Sequence, residues 1–221
     1  SAMAELVRGD AVPPSVRWVN LAGEPLGRSL VDDVYALGVE AVRNLYGPSE
    51  DTTYSTWVTV PAEIDAAPTI GGPIPNTSAA VVDADDLELL LGGHGLARGY
   101  LGRPAQTAER FVPDPDGEPG GRRYRTGDLV RWRAEGELAF LGRVDHQVKV
   151  RGYRIELGEV EAVLERVDGV LQAVAVVRGQ RLVAYAECAA SLEPELWASL
   201  KDALPPYMIP SALVTLERLP R

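Results

Sequence analysis

A short polar loop and a cluster of basic residues are the parts of this sequence best suited to binding an anionic ligand. The loop, residues 44–50, reads Asn-Leu-Tyr-Gly-Pro-Ser-Glu and follows an apolar segment directly. Residues 122–154 contain nine Lys or Arg against four Asp or Glu, although the whole chain carries a net charge of −10. A basic patch on an acidic protein suits a small polyanion such as a nucleotide. The alternative is a solvated basic face.

A second polar segment, residues 124–129, reads Tyr-Arg-Thr-Gly-Asp-Leu. Taken alone, this segment and the loop at 44–50 would each fit a plain turn, because Gly and Pro are turn residues. The surrounding elements therefore decide whether either segment belongs to a binding site.

The pattern around the loop predicts a strand, a helix and a second strand. Residues 16–22 and 39–45 are apolar, and residues 25–38 between them have apolar side chains at helical spacing. A unit of this kind, about 30 residues long, implies two parallel strands. Residues 44–50 then lie at the carboxyl end of the second strand, where open α/β sheets bind ligands.

The rest of the chain changes character twice. Residues 55–141 contain short β segments broken by Gly and Pro, with one helical stretch at 105–111. After residue 145 the pattern predicts a small α+β unit. Its expected elements are a strand at 147–151, a helix at 156–168, strands at 171–178 and 181–188 that turn near Gly179 and Gln180, and a helix at 193–203.

Composition excludes several classes of protein. The chain has 221 residues, 46% of them hydrophobic, which is ample for a core, and its acidity argues against a general nucleic-acid or membrane-surface binder. A single cysteine, Cys188, excludes a disulfide framework and favours a cytoplasmic location. The two histidines do not have the spacing of a zinc site, and no apolar segment is long enough to span a membrane.

Five segments point to one enzyme family. Residues 142–161 read Gly-Arg-Val-Asp-His-Gln-Val-Lys-Val-Arg-Gly-Tyr-Arg-Ile-Glu-Leu-Gly-Glu-Val-Glu; the others are residues 44–50, 95–101, 124–129 and 204–210. Together they resemble the C-terminal portion of the adenylation domain of a nonribosomal peptide synthetase, within the adenylate-forming, AMP-binding enzymes. The resemblance extends over nearly all of residues 15–221.

The resemblance implies an α/β fold in three parts. The end of a doubly wound βαβ subdomain is expected at residues 4–60, and a β-rich, barrel-like subdomain at 61–145. A small, mobile α+β C-terminal subdomain is expected at 146–221, with Asp145 as the hinge. Segments 95–101 and 204–210 are expected to be mainly architectural, with Gly95 and Gly99 in turns and Tyr100 in packing.

The resemblance also implies an activity: ATP-dependent formation of an aminoacyl-adenylate, then transfer to the phosphopantetheine thiol of a carrier protein. Glu50 would hold Mg²⁺, Ser49 would donate to phosphate, and Arg143 and Lys149 would supply positive charge. Asn44, Tyr46 and Gly47 would contact the adenine side of ATP, with Tyr46 stacking on the base. Asp128 would accept the ribose hydroxyls, next to Arg143.

Half of an amino-acid pocket is expected, lined by Asn20, Ala22, Leu45, Thr53 and Tyr54. The expected partners are an amino acid, a peptidyl carrier protein, the N-terminal half of the adenylation domain, and a small MbtH-like accessory protein. No nucleic acid or membrane partner is expected.

Two departures from the family pattern leave alternatives open. Residues 83–87 form a shorter loop than usual, and the glycine-rich phosphate loop and the Gly-Lys signature do not occur in this sequence. The chain is therefore expected to be a fragment of an adenylation domain. A docking platform without catalysis and an acyl-CoA synthetase are the alternatives.

Overall fold

The computed structural model describes residues 2–63, 66–82, 87–145, 147–150, 152–179 and 181–220. The chain divides into two compact units, Ser1–Asp145 and His146–Arg221. Residues 83–86 of the expected short loop, Gln180 of the expected turn and Arg151 of the basic cluster lie outside the described residues.

The first unit begins with the predicted β–α–β arrangement. Helix α1 (Ala2–Arg8) precedes strand β1 (Trp18–Ala22), helix α2 (Arg28–Ala36) and strand β2 (Ala41–Tyr46). Strands β1 and β2 pair in parallel, which confirms that prediction. Strands β3 (Thr56–Val60) and β4 (Gly72–Pro73) add antiparallel neighbours and complete a four-stranded sheet in the order β1-β2-β3-β4.

The two faces of this sheet differ sharply. Val19, Val42 and Val60 face one side and pack with Val31 and Val34 of α2, because period-2 alternation puts every second residue on that face. The opposite face is open, and it exposes Trp18 (58%) and Trp57 (43%). The loop after β2 starts at the carboxyl end of a strand that is buried on one face only.

A second sheet of five antiparallel strands fills the rest of the first unit. Its strands are β5 (Thr77–Val81), β6 (Glu88–Gly93), β7 (Phe111–Pro113), β8 (Arg122–Trp132) and β9 (Leu138–Arg143), and helix α3 (Pro104–Arg110) precedes β7. The order is β5-β6-β8-β7, with β9 also paired to β8. Leu89, Leu91, Val130 and Leu138 form the core of this sheet, together with Tyr46 of β2.

The second unit is a small α+β domain with its own core. A hairpin of β10 (Gln147–Val150) and β11 (Tyr153–Glu156) precedes helix α4 (Leu157–Glu165). Strands β12 (Gln172–Arg178), β13 (Arg181–Glu187) and β14 (Ala212–Leu216) form a three-stranded sheet, and helix α5 (Glu193–Ala203) connects β13 to β14. The core combines residues of both helices and the sheet, including Val160, Leu164, Ala184, Leu196 and Leu200.

Two carboxylates of α4 protect the outer edge of this sheet. The backbone N–H groups of Ala173 and Ala175 in edge strand β12 donate to Glu165 at 3.0 Å and Glu161 at 2.9 Å. Unpaired edge groups invite pairing with other chains, so these bonds satisfy donors that the sheet leaves open.

The element predictions differ from the structure in several places. Helix α1 was not predicted, and helices α2 and α4 are shorter at both ends than the predicted helices at 25–38 and 156–168. Residues 124–129, which taken alone would also fit a turn, lie inside the long strand β8. Strands β11 and β14 were not predicted, because each follows or precedes a Gly- or Pro-containing segment that interrupts the apolar alternation. Among the described residues, no helix is long and apolar enough to cross a membrane.

Candidate active site

The predicted nucleotide loop starts where β2 ends and turns immediately. Ser49–Asp51 form a 3₁₀ turn after Pro48. A Cβ on Gly47 would lie 2.5 Å from the carbonyl oxygen of Thr53 and 2.6 Å from the Cα of Tyr54. Glycine is therefore required at residue 47 because two backbone segments meet there.

Asn44 and Tyr46 are buried at the end of β2. The amide NH₂ of Asn44 donates to the carbonyl oxygen of Thr69 at 2.7 Å. The Tyr46 side chain is 7% exposed, and its hydroxyl donates to Oδ2 of Asp128. Burial, together with the Asp128 charge and hydrogen bond, raises the pKa of the Tyr46 phenol well above its usual value. The structure therefore brings Tyr46 and Asp128 together although 82 residues separate them.

Asp128 is a buried carboxylate with donors on both oxygens. Its Oδ2 accepts the hydrogen bond from the Tyr46 hydroxyl, and its Oδ1 accepts one from Nη1 of Arg143 at 2.5 Å. The backbone N–H of Asp128 donates to the Thr126 hydroxyl at 3.0 Å. An ionised carboxylate has about four acceptor positions, so two remain for further donors such as ribose hydroxyls.

Arg143 is shared between two carboxylates. Its Nη1 pairs with Asp128, while Nε and Nη2 donate to Asp145 at 2.7 Å and 2.8 Å. The planar guanidinium suits this division because its donors form a rigid fork.

Glu50 lies in the 3₁₀ turn after the loop and is 9% exposed. Its Oε1 accepts the hydroxyl of Tyr100 at 2.7 Å, and Tyr100 also approaches the Tyr124 hydroxyl at 3.4 Å. Burial and these two neighbours raise the pKa of Tyr100, which keeps it a neutral donor. Tyr100 therefore does more than pack, because it orients the carboxylate that the resemblance assigns to Mg²⁺.

The predicted amino-acid pocket follows the open face of the four-stranded sheet. Asn20, Ala22 and Leu45 lie on that face, with Ala22 directly opposite Leu45. Thr53 and Tyr54 follow in the loop that closes on Gly47. On the same face the guanidinium of Arg43 lies between the rings of Trp18, at 5.0 Å, and Trp57, at 5.5 Å.

Lys149 belongs to the second unit, in β10, where it lies opposite Arg154. Gly152 turns the hairpin with φ +80°. The roles expected of Lys149 in catalysis and of Asp145 as a hinge stay predictions.

The basic cluster is more neutralised than the residue count suggests. Arg123 pairs with Asp114 at 2.8 Å and Asp116 at 2.9 Å, and Arg125 pairs with Glu88 at 2.6 Å. These acids precede residue 122 in the sequence, so the local count missed them. The positive charge beside Asp128 comes from Arg143.

Three functional neighbours were missed by sequence reasoning: Glu88, Tyr100 and Arg110. Glu88 is buried, and its Oε1 accepts the backbone N–H of Gly127 at 2.9 Å, which fixes the backbone just before Asp128. A lone charge in the apolar run Leu87–Leu91 was the available signal, because a buried charge needs a partner. Arg110 lies 3.5 Å from Asp145.

Comparison with known proteins agrees with this geometry. Residues 2–101 match the family described as AMP-binding enzyme, and residues 159–221 match the AMP-binding enzyme C-terminal domain. A linear gramicidin synthase of Brevibacillus parabrevis is 53% identical over 240 residues, a match that covers 100% of this chain and 5% of that protein.

Two solved structures have a similar fold. The Vibrio cholerae adenylation domain AlmE, in complex with glycyl-adenosine-5'-phosphate, has a TM-score of 0.84 at 29% identity, over 99% of this chain and 46% of that chain. Holo-PA1221, an NRPS protein containing adenylation and PCP domains bound to a vinylsulfonamide inhibitor, has a TM-score of 0.86 at 30% identity, over 99% and 40%. The chain thus spans less than half of each solved structure and a small part of the gramicidin synthase.

Proposed function

The chain belongs to the AMP-binding enzymes, in the group that forms nonribosomal peptide synthetase adenylation domains, and from this premise we propose that it is the part of such a domain that binds ATP. The whole domain would activate an amino acid with ATP and transfer it to the phosphopantetheine thiol of a carrier protein. The observation that carries the proposal is the buried Tyr46–Asp128–Arg143 group beside the loop that holds Glu50.

The first half-reaction joins two anions. The amino-acid carboxylate attacks the α-phosphorus of ATP, the bond to the β-phosphate breaks, and pyrophosphate leaves. Charge neutralisation and positioning therefore dominate such catalysis. Arg143 supplies a buried cation, and Asp128 keeps two acceptor positions for the ribose hydroxyls.

The remaining nucleotide roles rest on residues of the loop. The ring of Tyr46 would lie against adenine and Asn44 near its amino edge, while Gly47 lets the loop close. Ser49 would donate its hydroxyl to a phosphate oxygen.

Glu50 fits a magnesium ion as one ligand of a shared site. Among the described residues no three His, Cys, Asp or Glu side chains form a cluster that could hold a metal. Mg²⁺ typically binds one or two carboxylates together with substrate phosphates, and when bound it would neutralise phosphate charge. The Tyr100 hydroxyl bond holds the Glu50 carboxylate in place for this role.

The second half-reaction would use the second unit. The thiol sulfur attacks the carbonyl of the mixed anhydride, AMP leaves, and a thioester forms. Lys149 and Gly152 belong to the β10–β11 hairpin. A glycine there would let a pantetheine arm come close to the backbone. Asp145 would be the hinge that allows each half-reaction its own arrangement.

The open face of the four-stranded sheet supports a further partner. Two large aromatic side chains, Trp18 and Trp57, are exposed on this one face, and exposed apolar side chains that share a face often mark an interaction surface. The N-terminal half of the adenylation domain would cover this face and complete the pocket of Asn20, Ala22 and Leu45. An MbtH-like protein is the proposed accessory partner.

The experiment uses the complete adenylation domain that contains this chain, with its carrier protein. We expect amino-acid-dependent exchange of pyrophosphate into ATP and loading of the carrier thiol. The Glu50→Gln variant should lose both, and Glu118→Gln, an exposed acid on the same unit, should keep both. Exchange without any amino-acid dependence, or full activity of the Glu50 variant, contradicts the proposal.

A further inference from the structure

Asp145, the last residue of the first unit, is held by two arginines from different elements. Arg143 at the end of β9 donates to both of its carboxylate oxygens, at 2.7 Å and 2.8 Å. Arg110 at the end of α3 places Nη2 3.5 Å from Oδ2. The first unit therefore ends at a residue whose carboxylate is contacted by two guanidinium groups.

The same arginine connects this boundary to the candidate nucleotide site. Arg143 pairs with Asp128 through Nη1, so Asp128, Arg143, Asp145 and Arg110 form a row of alternating charges. Exposure of the side chains rises along the row, from 7% and 13% to 30% and 35%. The row begins in the buried site and ends near the surface.

Gly127 provides the space for this row. A Cβ there would lie 2.8 Å from Nη2 of Arg143, 3.1 Å from Oδ2 of Asp145 and 3.4 Å from Nη1 of Arg110. Its φ of +71° also favours glycine. In addition, the carbonyl oxygen of Gly127 accepts the N–H of Val144 at 2.9 Å, which ties the backbone before Asp145 to the same turn.

We propose that Arg110 is a positioning residue for the boundary between the two units. A phosphate or ribose oxygen that takes one of the Arg143 donors now bound to Asp145 weakens the hold of Arg143 on Asp145. Arg110 then keeps the Asp145 carboxylate paired, because its Nη2 lies 3.5 Å from Oδ2, the same oxygen that Nη2 of Arg143 contacts. Arg110 thus allows Arg143 to serve the nucleotide without releasing the boundary segment. The consequence for the two half-reactions rests on the proposed function; the hold on Asp145 does not.

Hydrogen exchange on the 221-residue chain tests the hold directly. In Arg110→Gln, peptides that contain Val144 should exchange about two- to fivefold faster, the range expected for loss of a partly exposed ion pair. Arg110→Lys should restore part of the protection. Arg103→Gln changes an exposed arginine at the start of the same helix and should leave exchange unchanged. Equal exchange in Arg110→Gln, Arg103→Gln and the unmodified chain overturns the inference.

The complete adenylation domain then tests the consequence. Arg110→Gln should change the ratio of carrier loading to pyrophosphate exchange by about threefold or more, whereas Arg103→Gln should not. Equal losses of carrier loading and of pyrophosphate exchange would show that the contact between Arg110 and Asp145 does not affect the balance of the two half-reactions. An unmodified domain that forms no adenylate contradicts the proposed function, and hydrogen exchange still decides the role of Arg110.

Discussion

Replacing Tyr46 with Phe should lower the free energy of unfolding of the first unit, because the variant loses the hydrogen bond from the Tyr46 hydroxyl to the Asp128 carboxylate. The Tyr46 hydroxyl is buried and donates to Asp128, whose other oxygen pairs with Arg143 at 2.5 Å. A hydrogen bond to a charged group contributes about 1.5–3 kcal/mol. Because Arg143 still neutralises Asp128 in the variant, we expect a loss near the lower end, about 1.5–2 kcal/mol.

Urea unfolding followed by tryptophan fluorescence measures this loss, and Trp18, Trp57 and Trp132 report on the first unit. Tyr54→Phe is the matched control, because Tyr54 is 41% exposed. It should change the free energy of unfolding by less than about 0.5 kcal/mol.

The stability difference between the unmodified chain and Tyr46→Phe should also depend on pH. The pKa of Tyr46 is raised in the folded chain, so above about pH 10 the unfolded chain releases a proton that the folded chain retains. Stability of the unmodified chain therefore falls as the pH rises through this range, and this contribution is missing in Tyr46→Phe. The difference between the two proteins should narrow above about pH 10. A constant difference, or none at neutral pH, would refute the reasoning.

Three further predictions concern Asp51, Gly47 and the activity of the chain on its own. Asp51 is 1% exposed, its Oδ1 has no hydrogen-bond partner among the described residues, and burial raises its pKa despite the Ser55 hydrogen bond. Asp51→Asn should therefore stabilise the chain by about 1 kcal/mol at about pH 7. Below about pH 4 it should change stability little, because the carboxyl is then protonated in both the folded and the unfolded state. Equal effects at the two pH values in urea titrations would contradict this. Gly47→Ala should cost about 1–3 kcal/mol because the new Cβ meets backbone at 2.5 Å, and an unchanged urea midpoint would disprove the clash. The 221-residue chain alone should show no amino-acid-dependent pyrophosphate exchange, because the glycine-rich phosphate loop does not occur in its sequence; turnover that disappears in Glu50→Ala would overturn this.

Local pattern predicted the elements that depend on nearby residues. The β–α–β unit and helix α5 follow from apolar spacing within about ten residues, and both are confirmed. Strand β8 was harder, because Gly127 with φ +71° and a register shift at Leu129 interrupt the alternation. Taken alone, the polar segment around Asp128 therefore fits a turn as well, although it lies within a strand.

In the candidate site, too, contacts between residues that are distant in sequence could not be predicted from local pattern. The resemblance assigned roles to Tyr46, Glu50, Asp128 and Arg143, and these roles stay predictions. Their partners could not be read from spacing, because Tyr100 is 50 residues from Glu50 in sequence and Glu88 is 39 residues from Gly127. Such contacts are set by how the five-stranded sheet places β6 beside β8, which only the tertiary structure shows.

Nucleotide binding by the chain itself tests the central claim most directly. Titration of ATP, followed by NMR or calorimetry, should give a dissociation constant no better than roughly millimolar, about −4 kcal/mol. Asp128→Ala should abolish this binding, and Asp116→Ala, which removes an exposed acid from the same unit, should leave it unchanged. Equal binding of ATP to the Asp128 variant and the unmodified chain would contradict the assignment of Asp128 and Arg143 to the nucleotide site.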